Sequence, residues 1–219
     1  MKSNIQNYKL AFTVLFMFLT LWNVAQDLPY PASKLLSGIE TDWNTHQRYA
    51  LGSDNFQLTW ADDNHQYGIW GDGSGFAEAS KYRVSFGVAR IEGDYDDYKG
   101  YDRYGHKESS EFEAKIKGKS WAIICVKGNL YAWVHPDEEG GWGNWIDHHT
   151  ESRLYMSADK GASWQAADWA FSPEDNLAGG AILQFGKNYA GALDKYVYHY
   201  FVHPDVMLDP NGSGTEIMI

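Results

Sequence analysis

The chain has 219 residues, a net charge of −11, 16 % aromatic residues and 22 glycines. An acidic chain with no basic run argues against nucleic acid as a partner, because phosphate contacts need clustered Lys and Arg. Ten Trp and fifteen Tyr fit a β-rich domain with many turns, and exposed rings among them would suit sugars, whose CH-rich faces stack on aromatics.

Residues 1–25 read as a secretory signal peptide. Lys2 and Lys9 supply the positive start, and Leu10 to Trp22 is an apolar stretch of thirteen residues, too short to span a bilayer comfortably. Val24-Ala25-Gln26-Asp27 offers a cut after Ala25, and no cysteine stands there for a lipid. The expectation is a secreted or periplasmic protein with no stable membrane anchor, whose folded domain runs over residues 26–219.

Asp27 to Gln47 is a polar entry segment with Pro29 and Pro31, in which Ser37 to Asn44 holds a short turn or a first strand. A tight antiparallel hairpin follows, with strands Phe56–Ala61 and Gln66–Gly71 joined through Asp62, Asp63, Asn64 and His65, residue types that tolerate turn geometry. A turn centred on Asp63 predicts Phe56 opposite Trp70, Leu58 opposite Gly68, Trp60 opposite Gln66, and Asp54 opposite Asp72 at the open end. Cross-strand neighbours lie about 5 Å apart at Cβ, so two carboxylates there repel unless chemistry uses them. Asp62 and Asp63, at the other end, read as turn residues; a shifted hairpin would make Asp63 the rival.

Tyr82 to Ile91 predicts a strand, and the acidic, Gly- and Tyr-rich stretch Glu92 to Ser110 a long loop of the kind that carries function. A second hairpin spans Ser120 to His135 around Lys127-Gly128-Asn129, with Cys125 as a small buried hydrophobe. Pro136 to Thr150 is a loop with Trp142 and Trp145, and a third hairpin covers Arg153 to Phe171. Within it, S-A-D-K-G-A-S-W (Ser157 to Trp164) fits the Asp-box pattern S-x-D-x-G-x-[ST]-W. There Asp159 caps backbone amides, Gly161 takes the strained dihedral and Trp164 packs beneath, a structural role that keeps Asp159 out of the site. A fourth set is Ala181–Phe185 and Tyr196–His203.

No segment after residue 30 holds a helical period over twelve residues. Strand–turn–strand units at this spacing predict an all-β architecture of blade-like meanders, a β-propeller. At about 40–50 residues per blade the mature chain holds three to four blades. Its apolar stop at Glu216 to Ile219 suggests a C-terminally truncated, incomplete ring.

Asp54 and Asp72 are the catalytic candidates, since glycoside hydrolysis needs two carboxylates flanking the bond, about 5–5.5 Å apart for retention and about 6.5–9.5 Å for inversion. Trp70 and Phe76 are candidate sugar platforms. Lys187, Asn188 and Asp194, in a loop whose Gly186 and Gly191 permit close approach, are candidates for holding hydroxyls. His148-His149 and the pair His199 and His203 lack partners at zinc spacing, so no catalytic metal and no cofactor is expected. A structural Ca²⁺ held by Asp and carbonyl oxygens remains open.

The run T-W-A-D-D-N…Y-G-I-W-G-D-G-S-G-F, then F-G-V-A-R-I (Phe86 to Ile91), G-N-L-Y-A-W-V (Gly128 to Val134), the Asp box, and Q-F-G-K-N-Y-A-G-A-L-D-K-Y-V-Y (Gln184 to Tyr198) resembles, over about residues 50–203, the domain-of-unknown-function 4185 proteins. The resemblance implies a five-bladed β-propeller with a central pocket, related to endo-acting arabinan-degrading glycoside hydrolases, and places Asp54 and Asp72 on that family's early carboxylates. The expected function is a secreted glycoside hydrolase acting on a polysaccharide, with arabinan-like furanosides first. The alternatives are a non-catalytic carbohydrate-binding propeller and a polysaccharide lyase using Tyr or His as base.

Overall fold

The computed structural model describes residues 31, 33–77, 84–105, 116, 118–136, 151–202 and 217–218. The leader reading of residues 1–25, Trp142, Trp145, His148-His149 and His203 lie outside them. The chain divides into two units, Met1–Asn44 and Thr45–Ile219. In the first, polar side chains close local turns: the Ser33 hydroxyl accepts the Leu35 and Leu36 amides at 3.1 and 3.0 Å. Asp42 accepts the Asn44 amide at 3.0 Å. Of the two options for Ser37 to Asn44, the turn holds, with a single 3₁₀ turn at Trp43–Thr45 and no strand among the described residues.

The second unit is all-β, with three antiparallel sheets and no α-helix among the described residues. Strands β1 (Asp54–Trp60), β2 (Gln66–Gly71), β3 (Gly87–Glu92) and β4 (Lys99–Tyr104) form the first sheet, each paired to the next. The second repeats this plan with β5 (Gly118–Val126), β6 (Asn129–Pro136), β7 (Ser152–Ser157) and β8 (Gln165–Phe171). The third holds β9 (Ala178–Ile182), β10 (His199–Val202) and β11 (Ile217–Met218). Ile217–Met218 is the edge strand β11, with Ile217 opposite Val202 and Met218 opposite Phe201.

The stretch Glu92 to Ser110, expected as loop, contains β4. Its residues K-G-Y-D-R-Y lack apolar alternation because β4 is an edge strand held by polar contacts. Arg90 of β3 lies over the Tyr101 ring, 5.6 Å from its centroid, and the Asp102 carboxylate accepts the amides of Phe76 and Ala77, both at 3.0 Å.

The alternation of β5 shows how the sheets stack. Successive strand side chains point to opposite faces. Ile123 and Cys125 join Tyr67, Ile69 and Val88 of the first sheet and Phe86 just ahead of β3, while Ala122 and Ile124 join Ile182 and Phe201 of the third. The continuous apolar run through Cys125 thus marks a strand covered on both faces. The first strands of the three sheets come together, β1 against β5 and β5 against β9.

Candidate functional site

Within its own sheet β5 is an edge strand, and its outward backbone groups need partners. Side chains supply them. The Thr59 hydroxyl of β1 accepts the Cys125 amide at 2.8 Å and donates to Gln184 Oε1 at 3.0 Å. Gln184 Nε2 donates to the Ile123 carbonyl at 2.7 Å, and Asn55 Nδ2 donates to the Ser120 carbonyl. This seam borders a cavity of about 570 Å³, whose walls include Asn55, Gln57, Trp121, Gln184 and Tyr200. On two of its lining residues, Gln57 Oε1 and Trp121 Nε1 are buried with no hydrogen-bond partner among the described residues. Amides and an indole beside apolar strand are groups that meet sugar hydroxyls and sugar faces.

Asp54 opens β1, next to Asn55. The predicted register holds at the turn half of the hairpin, with Leu58 opposite Gly68 and Trp60 opposite Gln66. It fails at the open end, where Asp54 faces Gly71 instead of Asp72. The cause is a bulge between Asp54 and Gln57, where Asn55 adopts φ +51°, a left-handed conformation that Asn tolerates and that lets one extra residue enter a strand. Asp72 lies just past the end of β2, also left-handed at φ +53°. Its carboxylate is ion-paired with Lys119 of β5, and the two side chains are only 16 and 17 % exposed. Asp54 and Asp72 therefore share one end of the hairpin, but as neighbours displaced by a residue, one exposed and one held by a cation.

The other predicted site residues do not gather there. Trp70 is fully buried: its Nε1 donates to the Gly73 carbonyl at 3.2 Å and its ring stacks on Phe56 at 5.9 Å. It is core and offers no face to a sugar. Phe76 is half-buried, edge-on to Phe56, and borders a separate groove. Lys187 donates to Asn64 in the β1–β2 turn at 3.2 Å, and Asn188, at φ +53°, accepts the Gly128 amide in the β5–β6 turn at 2.7 Å. These contacts lie at the far end of β1, about 20 Å from Asp54 at about 3.3 Å per residue. Asp194 accepts the Tyr196 amide at 2.8 Å and the Tyr198 hydroxyl. The Tyr198 hydroxyl bond and the Tyr196 amide lower the Asp194 pKa from its usual value.

That far end is built by turns. Asp63 accepts the His65 amide at 3.1 Å and the Tyr67 hydroxyl at 2.7 Å, and burial with the Asp63 bond raises the Tyr67 pKa. Asp62 pairs with Lys160 at 2.7 Å; that bond lowers the Asp62 pKa. In the Asp box, Asp159 accepts the Ser157 hydroxyl at 2.8 Å, the Ser163 amide at 2.9 Å and the Ser163 hydroxyl at 2.6 Å. Desolvation raises its pKa, but the Ser163 and Ser157 bonds outweigh it and set the value at about 2. Gly161 takes φ +82°, a Cβ on it would sit 2.8 Å from Val88, and Trp164 meets Phe86 edge-on. Arg103 of β4 donates to the Lys160 and Asp159 carbonyls at 2.9 and 3.1 Å. The box thus fastens the second sheet to the first.

Among the described residues no cluster of three or more His, Cys, Asp or Glu is placed to hold a metal, and no helix is long and apolar enough to cross a membrane. Sequence reasoning misses Lys119, Gln57, Trp121 and Gln184. The G-K-S-W run ahead of the second hairpin is the one available signal for the first and third. No protein-family model matches the chain, and no curated protein matches it.

Proposed function

We propose that the protein is an exported glycoside hydrolase that cleaves a polysaccharide through Asp54 and Asp72, on a scaffold of the five-bladed propeller type. The observation that carries this is the shared position of the two carboxylates. Both stand at the Asp54 end of the first hairpin, beside the seam of β1 and β5 whose cavity carries Asn55, Gln57 and Trp121. Two carboxylates flanking a glycosidic bond are the minimum for its hydrolysis, one as acid and the other as nucleophile or base. Lys119 fixes the Asp72 carboxylate, as a reacting group needs to be fixed. Arabinan-like furanosides come first as substrate, because the motif series resembles the domain-of-unknown-function 4185 proteins and that resemblance implies a relation to arabinan-degrading hydrolases.

A second reading, a carbohydrate-binding protein without catalysis, draws on the same ion pair: a carboxylate neutralised by Lys119 serves structure as readily as chemistry. Affinity electrophoresis and reducing-end release on arabinan separate the two. Under the hydrolase reading Asp72→Asn keeps its retardation in the polysaccharide gel and releases no reducing ends. Wild-type chain that is retarded and releases none supports the binder. Cleavage that persists in both Asp54→Asn and Asp72→Asn removes these residues from the chemistry.

A further inference from the structure

The first sheet covers one face with the second sheet and uses the other for a small cluster of Trp70, Val84 and Ala89, with Phe56 and Phe76 packed on it. The chain leading into β1 runs beside this second face. The Tyr49 ring meets the Tyr98 ring at 4.8 Å and 70°, and the Ser53 hydroxyl accepts the Gly75 amide at 2.9 Å. Between them lies a groove of about 680 Å³. Phe56, Leu58 and Phe76 form its apolar lining, and Tyr49, Tyr95 and Tyr98 complete the walls. Tyr95 is 85 % exposed. Among the described residues lining the groove, Asp94 alone is charged.

The Tyr49 and Tyr98 rings pack edge-to-face, so that one covers a face of the other, and the exposed Tyr95 adds a third ring to the wall. Ring faces carry negative potential and attract cations, and a carboxylate on the wall adds to that attraction. No Lys or Arg among the described lining residues opposes it, and the net charge of −11 raises the concentration of any cation near the surface. The apolar lining favours a cation with an apolar body over a hydrated metal ion. We propose that this groove binds an organic cation, an ammonium carried on a small methylated body or on a sugar. Neither Asp54 nor Asp72 is among the residues lining the groove, which shares Leu58 with the cavity at the β1–β5 seam, and binding there does not depend on cleavage.

The test is titration of the full chain, followed by ligand-line broadening in proton NMR, with choline and with its neutral isostere 3,3-dimethylbutan-1-ol. Choline should saturate with a Kd on the order of millimolar, and the isostere should bind at least about fivefold more weakly. Tyr95→Ala, at an exposed ring whose loss leaves the core intact, and Tyr98→Leu should each weaken choline about threefold to fivefold, and Asp94→Asn should weaken it in the same direction. A glucosamine trimer that binds more tightly than choline places the ammonium on a sugar, and the reverse order places it on a methylated amine. Equal binding of choline and the isostere together with equal binding of the glucosamine trimer and its N-acetylated form overturns the proposal, as does unchanged affinity in all three variants or an absence of saturable binding of both choline and the glucosamine trimer at millimolar concentration.

Discussion

Removing the Asp159 carboxylate should loosen the joint between the first two sheets. Asp159 accepts three hydrogen bonds from Ser157 and Ser163. Its pKa, lowered from 3.8 to about 2, would correspond to about 2 kcal/mol at full strength. The residue is exposed, so solvent screening reduces this charge-dependent part to about 1 kcal/mol. Asp159→Asn should lose that amount. Asp159→Ala should lose about 2–3 kcal/mol, because the buried Ser157 hydroxyl also loses its acceptor. Urea unfolding followed by tryptophan fluorescence measures both. The folded pKa is depressed, so this contribution is present above pH 3.8 and lost as pH falls through about 2. Wild type and Asp159→Asn should therefore differ at pH 7 and converge as pH falls towards 2. Equal urea midpoints at pH 7, or a gap that persists at pH 2, would refute the argument.

Two further outcomes follow from the packing. His199 Nδ1 accepts the Trp133 indole N–H at 2.8 Å, which requires that nitrogen to be unprotonated, and burial lowers the His199 pKa below 6.5; its contribution is present above pH 6.5 and lost as pH falls through the lower folded value, so urea midpoints should drop from pH 7.5 to pH 5.5, less so in His199→Phe, and a flat profile would contradict it. A Cβ on Gly87 would lie 2.2–2.7 Å from the Trp70 ring, so Gly87→Ala should cost about 1–3 kcal/mol as overpacking, read as a lower thermal midpoint; an unchanged midpoint would mean that Trp70 has room to move.

Local chemistry makes much of the second unit readable. The hairpins 54–71, 118–136 and 152–171 each announce themselves by a turn of Asp, Asn or Gly between apolar runs, and the Asp box states its own geometry in eight residues. Strand β4 escapes because an edge strand needs no apolar face; it pairs with β3 through the backbone, and its side chains add the Asp102 bonds to the Phe76 and Ala77 amides and the Arg90–Tyr101 contact. The Asp54 register escapes because a bulge depends on the left-handed φ of Asn55, which Asn permits but does not announce. Trp70 is ambiguous from sequence, since a platform and a core ring look alike until Gly73, Gly75 and Gly87 are seen closing around the indole. Lys119 lies 47 residues from Asp72, and only the packing of β5 against the first sheet brings them together. Lys187 and Asn188 have the chemistry to serve a site at Asp54 and Asp72, yet a seven-residue strand separates the turn they brace from the carboxylates.

The proposed chemistry rests on one place, the Asp54 end of β1. A crystal of Asp72→Asn soaked with an arabino-oligosaccharide tests it directly. The glycosidic oxygen should lie within hydrogen-bond reach of Asp54, about 3 Å, with the substituted amide at position 72 flanking the same linkage and the neighbouring sugar in the cavity beside Gln57 and Trp121. An oligosaccharide seated instead at the Lys187 and Asn188 turns, or with both positions 54 and 72 remote from any glycosidic bond, would contradict the account.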